Sequence, residues 1–133
     1  MEKMHQSFGI SASHFAQIAA MTALNDARPE VEKMRVVYDQ RRQYMVSRLR
    51  ELGFKIHVEP KGAFYVFADA RAFCSDSYKE AFNILEKAKV GVTPGIDFGS
   101  GGEGFLRFSY ANSLENIKKG MDRLQAYLAK EYA

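Results

Sequence analysis

The chain has 133 residues, 47% hydrophobic and 13% aromatic, which is enough apolar material for one compact domain and excludes a disordered chain. Nineteen basic and 16 acidic residues leave a net charge of +3, too small a surplus to indicate a nucleic-acid partner. Cys74 is the single cysteine, and no apolar run approaches the ~20 residues of a membrane-spanning helix, so we expect a cytoplasmic protein with neither a disulfide nor a membrane partner.

Two helices are predicted in the first part of the chain. The alanine-rich stretch Ser13–Leu24 has high helix propensity, and we expect it to be largely buried. The stretch Asn25–Arg28 interrupts it. Pro29 then opens a second helix that runs to about Leu52, because the missing N–H of proline costs little in the first helical turn. Gly53 ends this helix.

Two strands follow. In Phe54–Glu59 apolar and polar residues alternate, which is typical of a half-buried edge strand. The next run, Ala63–Ala68, has no polar side, and this pattern predicts a strand covered on both faces.

The remaining elements are a helix, two strands and a final helix. Ser77–Glu80 fits a capping box that opens the first of these helices. Val90–Thr93 is predicted as a short strand, and the glycine-dense loop Gly99–Gly104 leads into a strand over Phe105–Ala111. Asn112 is expected to cap the final helix.

This order predicts an α/β chain of the two-layer α+β kind, with a small, mostly antiparallel sheet and helices packed on one face. We expect residues 1–25 to form a leading segment and first helix, and residues 26–133 to form the domain proper.

Arg107 is the most informative residue for function. Strand alternation places Leu106 and Phe108 toward the helices and Arg107 on the opposite face. A guanidinium in the middle of an apolar strand needs an anion or water, and its rigid fork of donors matches a carboxylate. The alternative is an arginine that is solvated or paired with a helix carboxylate.

Other motifs predict little. The glycines of Gly99–Gly104 match a dinucleotide-binding pattern, but they precede a strand instead of opening a helix. The three histidines, His5, His14 and His57, are too scattered to predict a metal site, and Cys74 is interpreted as structural.

Three blocks of sequence resemble the aspartate-aminotransferase superfamily of fold-type I pyridoxal-phosphate enzymes, class I and II. Pro60–Tyr65 is similar to a P-x-G-A-F-Y strand, Val92–Gly99 to a V-x-P-G-x-x-F-G loop, and Gly104–Ala111 to a G-x-x-R-x-S-x-A strand. The likeness covers essentially the whole chain.

The resemblance implies the small C-terminal domain of such an aminotransferase, which transfers an amino group from an amino acid to a 2-oxo acid and works as a homodimer. It implies that Arg107 binds the substrate α-carboxylate and that Phe64 lies along the substrate pocket. Pyridoxal phosphate would be the cofactor of the parent enzyme, with aspartate- or aromatic-type substrates.

The chain departs from the family in one respect. None of its ten lysines has the setting of the Schiff-base lysine, so no residue here is expected to bind the cofactor or to act in catalysis, and the chain alone is predicted to be inactive. A second hypothesis is a free-standing α/β regulatory or interaction module that binds a small carboxylate or a protein partner.

Overall fold

The computed structural model describes residues 3–4, 9 and 11–132. The chain divides into two compact units, one up to Val36 and one from Val37 onward. The described helices are α1 His14–Asp26, α2 Arg28–Glu51, α3 Ser77–Ala88 and α4 Leu114–Glu131. The strands are β1 Tyr65–Asp69, β2 Thr93–Pro94 and β3 Phe105–Ser109, with short 3-10 helices at Gly95–Phe98 and Ser100–Gly102.

The three strands form an antiparallel sheet in the order β1-β3-β2. Arg107 lies at the middle of the central strand, opposite Phe67 on one side and Thr93 on the other. The mixed α/β fold with a small antiparallel sheet confirms the predicted fold class.

The core lies between one face of this sheet and the helices of the second unit. Leu106, Phe108 and Tyr110 are each no more than 2% exposed, whereas Phe105 and Arg107 are half-buried, as strand alternation predicts. Residues from α2, α3 and α4 complete this core, and they include Met45, Val46, Leu49, Ala81, Ile84, Ile117, Met121, Leu124 and Leu128. Burial of these side chains is the main force that holds the sheet against the helices.

Helix α1 differs from the expectation of burial. It forms close to the predicted bounds, but none of its residues is buried. Phe15 and Leu24 are 78% and 85% exposed. High alanine content favours the helix, but it carries no information about which surface covers it.

The predicted strand Phe54–Glu59 is wrong in extent. Only one isolated bridge joins Lys55 to Asp69 of β1. Side chains hold the rest of this segment: His57 Nε2 lies 2.8 Å from a carboxylate oxygen of Asp69, and Glu59 pairs with Arg42 and Arg50 on α2. The segment therefore follows the sheet edge without forming a ladder.

Strand β1 is also covered differently from the prediction. Val66 and Ala68 are fully buried, but Tyr65 and Phe67 on the other face are half-buried. The apolar run reflects an aromatic outer face, not a second layer of helices. The later strands are shorter than expected as well, since β2 is only Thr93–Pro94 and β3 ends at Ser109.

Both predicted N-caps are displaced by one residue. Asp76, not Ser77, caps α3 by accepting a hydrogen bond from Lys79 N at 2.9 Å. Ser113, not Asn112, caps α4 by accepting from Asn116 N. By contrast, Gly53 ends α2 as predicted, with a positive φ of 91° that favours glycine.

The glycine loop contains the short 3-10 helix Ser100–Gly102 and leads into β3, so it does not open an α-helix. It is closely packed, because a Cβ at Gly95 would overlap the carbonyl oxygen of Gly102 and lie 2.6 Å from that of Phe105. Glu103, at the end of the loop, accepts hydrogen bonds from the backbone N–H groups of Ser77 and Gly104. These bonds hold the pKa of Glu103 below its usual range and tie the loop to the start of α3.

Candidate functional site

Arg107 lies on the face of the sheet that points away from the core. Its Nη2 donates a hydrogen bond to Thr93 Oγ1 on the neighbouring strand at 3.1 Å. The guanidinium carbon lies 5.2 Å from the ring centroid of Tyr65 and 5.0 Å from that of Phe98, distances typical of cation–π contacts. Two rings and one hydroxyl thus hold the guanidinium in place.

No carboxylate pairs with Arg107 among the residues that the structure describes. The alternative of an ion pair with a helix carboxylate is therefore not formed within residues 11–132. Thr93 engages one of the five guanidinium N–H donors, and the others can bind an anion. The prediction that Arg107 is an anion-binding residue is consistent with this geometry.

The surroundings of Arg107 on the outer face are aromatic. Phe67 stacks on Phe105 with ring centroids 5.0 Å apart and an interplanar angle of 3°, and the edge of Phe98 meets Phe67 at 5.8 Å. An apolar surface of this kind excludes part of the water around Arg107, and an ionic contact is stronger there than in bulk solvent.

An acidic group lies at the end of β1, where its charge is already engaged. Asp69 is 4% exposed, and its carboxylate accepts hydrogen bonds from Arg71 Nε and Nη2 at 2.9 and 2.6 Å. His57 Nε2 approaches the same carboxylate. The Arg71 guanidinium is the main reason that the pKa of Asp69 lies far below its usual range. This carboxylate therefore stays ionised and paired, and it does not compete for Arg107.

Phe64 lies just before β1 and is 48% exposed. Its ring meets Tyr65 edge-on at 5.6 Å, and its carbonyl oxygen accepts a hydrogen bond from Tyr110 N. Among the described contacts, Tyr65 is the aromatic residue of this segment that lies against Arg107. Whether Phe64 lines a substrate pocket stays a prediction.

Three residues around Arg107 were not singled out from the sequence: Tyr65, Thr93 and Phe98. Each belongs to one of the two other blocks that carried the family resemblance, Pro60–Tyr65 and Val92–Gly99. Periodicity along one strand could not relate them, because they meet only through the β1-β3-β2 order and the turn after β2. All three blocks therefore converge on one guanidinium.

The remaining candidates do not add to this site. Burial raises the pKa of the Cys74 thiol to about 11, so the thiol is protonated at neutral pH and is not a nucleophile. Within residues 3–4, 9 and 11–132, no group of three or more His, Cys, Asp or Glu residues is arranged to hold a metal ion. His5 lies outside the described residues. No described helix is both long and apolar enough to cross a membrane.

Comparison with known families identifies the chain. The sequence pattern of the family "Aminotransferase class I and II" matches residues 1–124. The chain belongs to this family. Family members are transferases, and pyridoxal phosphate is the cofactor that the family implies.

Individual relatives of this aminotransferase-family chain are more than twice its length. It is 42% identical over 119 residues to an aspartate aminotransferase of Pyrococcus abyssi, covering 88% of this chain and 30% of the relative. It is 36% identical over 129 residues to the (5-formylfuran-3-yl)methyl phosphate transaminase of Methanocaldococcus jannaschii, covering 96% and 34%. The crystal structure of an aromatic aminotransferase from Pyrococcus horikoshii superimposes with a TM-score of 0.82 at 42% identity, covering 87% of this chain and 31% of that one. The chain thus spans about a third of the length of these relatives.

The residues present do not fit a covalently held pyridoxal phosphate. A cofactor lysine needs its amine in a protected site beside the reacting atoms, since desolvation or a neighbouring cation must make the amine reactive. All ten lysines of this aminotransferase-family chain are exposed. Lys33 and Lys87 are further engaged in ion pairs with Glu30 and Glu131.

Proposed function

We propose that this chain is the C-terminal substrate-binding domain of a pyridoxal-phosphate-dependent aminotransferase, and that Arg107 binds the α-carboxylate of the amino-acid or 2-oxo-acid substrate. The observation that carries the proposal is the Arg107 guanidinium on the outer face of the sheet, held by Thr93, Tyr65 and Phe98 and without a carboxylate partner among the described residues. The family supplies the reaction class, and the names of two relatives give aspartate and (5-formylfuran-3-yl)methyl phosphate as their substrates.

The chemistry of the side chain supports this role. A guanidinium can donate two parallel N–H bonds to one carboxylate, which fixes the orientation of the substrate as well as its position. The Thr93 hydrogen bond and the two aromatic rings restrict the side-chain rotamers before a substrate arrives, so less conformational entropy is lost on binding. Phe64 would lie along the same substrate pocket.

Within this proposal, the rest of the enzyme supplies the lysine and the cofactor site. Residues 1–25 would lead from the cofactor-bearing part, and residues 26–133 would form the small domain. The enzyme would be a homodimer, with an aspartate- or aromatic-type amino acid as substrate. Relatives with those activities support this substrate class.

The role of Arg107 is tested in the intact enzyme that carries this domain. We expect Arg107→Ala to lower kcat/KM at least about 100-fold, roughly 3 kcal/mol of lost substrate binding, because two charge-assisted hydrogen bonds are removed. Arg107→Lys keeps the charge but loses the fork, so we expect it to recover only a small part of the activity. Arg50→Ala, which removes an exposed arginine paired with Glu59, is the control and should leave kcat/KM unchanged. An Arg107→Ala enzyme with normal kcat/KM contradicts the proposal.

The chain by itself is predicted to have no transaminase activity. The purified 133-residue chain is incubated with pyridoxal phosphate, aspartate and 2-oxoglutarate, and the product and the visible absorbance are measured. We expect no product above the level given by pyridoxal phosphate alone, because every lysine is solvent-exposed and none is set beside Arg107 among the described contacts. Turnover above that level refutes the prediction.

A further inference from the structure

A second concavity lies at the end of β3, where Phe108 and Ser109 contribute to its lining. A pocket of about 330 Å³ opens between α2, the end of α3 and the first turns of α4. Its base consists of core residues such as Met45 and Phe108. This volume is at the lower end of the roughly 300–1,000 Å³ of pockets that hold small molecules.

The charged side chains that line this pocket are all positive. Lys89, Lys119 and Arg123 line it, and no aspartate or glutamate does. None of the three cations forms an ion pair with a carboxylate in the part of the chain that the structure describes. Nearby Lys87, in contrast, is neutralised by Glu131 at 2.6 Å. Three like charges around one concavity repel each other and concentrate anions there.

Neutral donors add to these charges. Asn112 and Asn116 also line the pocket. Asn112 Oδ1 already accepts hydrogen bonds from Ser113 N and Asn116 Nδ2, at 2.8 and 2.9 Å. The acceptor end of this amide is therefore engaged, and its Nδ2 donor is what it can offer to a ligand.

Two residues that line the pocket are unfavourable for the backbone conformation or the helix position that they occupy. Lys89 ends α3 in the left-handed conformation at φ 57°, where glycine would cost less. Gly120 lies inside α4, where glycine is less favourable than alanine, and no atom beyond its chain neighbours and the backbone of its own helix lies within 4 Å of a Cβ built at this position. Packing does not explain this glycine. Residues in unfavourable local states cluster at binding sites, and a glycine lets a ligand approach the helix backbone.

We propose that this pocket binds a small phosphorylated anion with at least two negative charges. The Arg123 guanidinium and the Lys89 and Lys119 ammonium groups would contact the phosphate oxygens, and the Asn112 amide would donate a further hydrogen bond. Gly120 would leave room for the phosphate against the helix. This proposal does not depend on the role of Arg107.

Pyrophosphate is the probe. Its binding to the 133-residue chain is measured by isothermal titration calorimetry at low salt. We expect one site, and we expect the double variant Lys119→Ala/Arg123→Ala to weaken binding at least about tenfold, because two charge-assisted contacts are lost. The charge-matched control Lys55→Ala/Lys79→Ala removes two exposed lysines outside the pocket and should bind as the parent does.

Gly120→Ala separates a ligand-binding role from a structural one. We expect this variant to melt at a higher temperature, because alanine favours the helix and the added methyl group meets no atom beyond its chain neighbours and the backbone of its own helix, and yet to bind pyrophosphate several-fold more weakly. A melting temperature and an affinity that both match the parent contradict the role of Gly120 and with it the placement of the ligand.

Other outcomes overturn the proposal as a whole. They are the absence of any pyrophosphate binding, unchanged binding by the Lys119→Ala/Arg123→Ala variant, or equal weakening in the control. Vesicles of phosphatidylserine and phosphatidylcholine and a single-stranded RNA are tested in parallel. If either binds through Lys119 and Arg123 while pyrophosphate does not, the surface recognises a macromolecular polyanion and not a small phosphorylated ligand.

Discussion

Asp69 connects three parts of the second unit through one buried carboxylate. Its backbone bridges to Lys55, and its side chain accepts hydrogen bonds from the backbone and side chain of Arg71 and lies beside His57. An ionised carboxylate is costly to bury unless each of its lone pairs is engaged, and here the partners supply that compensation. The low pKa of Asp69 is the measurable consequence.

Asp69→Asn is predicted to destabilise the fold in a pH-dependent way. At pH 7 we expect a loss of about 2 kcal/mol, since hydrogen bonds to charged groups contribute roughly 1.5–3 kcal/mol. The folded-state pKa is depressed, so the stabilisation is fully present above the unfolded pKa of about 3.9, and it is lost progressively as pH falls from there through the folded-state pKa. Urea unfolding at pH 7, 5 and 3 measures the difference between parent and variant.

The expected difference is smaller at pH 3 than at pH 5 or 7. Glu30→Gln is the control, because Glu30 forms an exposed i,i+3 pair with Lys33 that contributes little. A constant difference between parent and Asp69→Asn across this whole pH range contradicts the assigned role of the carboxylate.

At the scale of elements, two different acidic side chains accept hydrogen bonds from the backbone N–H groups at the start of α3. Asp76 caps the helix through Lys79 N, whereas the backbone N–H of Ser77 is satisfied by Glu103, 26 residues later. The Ser77 hydroxyl is fully buried and accepts a hydrogen bond from Ile96 N. The helix terminus and the glycine loop therefore stabilise each other.

Asp76→Ala is predicted to lower the free energy of unfolding by about 1 kcal/mol, because a helix N-cap contributes roughly 0.5–2 kcal/mol. Asp76→Ser should restore most of the stability, since a serine hydroxyl can accept the same hydrogen bond. Urea denaturation of the three proteins is the measurement. If the alanine and serine variants are equally unstable, the effect does not come from capping.

At the scale of the whole molecule, α1 presents apolar side chains without cover. Ile18 and Met21 are 49% and 60% exposed, and Phe15 and Leu24 are still more exposed. Contiguous exposed apolar surface of this kind drives association.

The 133-residue chain is predicted to self-associate in solution. Size-exclusion chromatography with light scattering at increasing concentration should give a mass above that of one chain. The variant Phe15→Lys/Leu24→Lys should shift the population toward the monomer, because it places charges on the apolar surface. Thr22→Lys/Asn25→Lys adds the same charge at polar positions and is the control. A parent protein that stays monomeric at every concentration contradicts the prediction.

Local patterns predicted much of the fold. The glycine stop at Gly53 and the alternation around Arg107 depend on neighbours in sequence, and both are present in the structure. The caps were missed by one residue because Asp76 and Ser77 are both good capping residues. The choice between them depends on Glu103, which approaches only in the folded chain.

The sequence by itself determined the family, the order of elements apart from the predicted strand Phe54–Glu59, and the face of β3 from which Arg107 projects, because these follow from motifs and from the two-residue period of a strand. Only the tertiary structure decided what surrounds Arg107, since Tyr65, Thr93 and Phe98 reach it through strand pairing and a turn. Tertiary structure alone also decided that α1 is exposed and that Lys89, Lys119 and Arg123 share one pocket. Burial and the meeting of distant side chains are properties of the packed chain, and no local period encodes them.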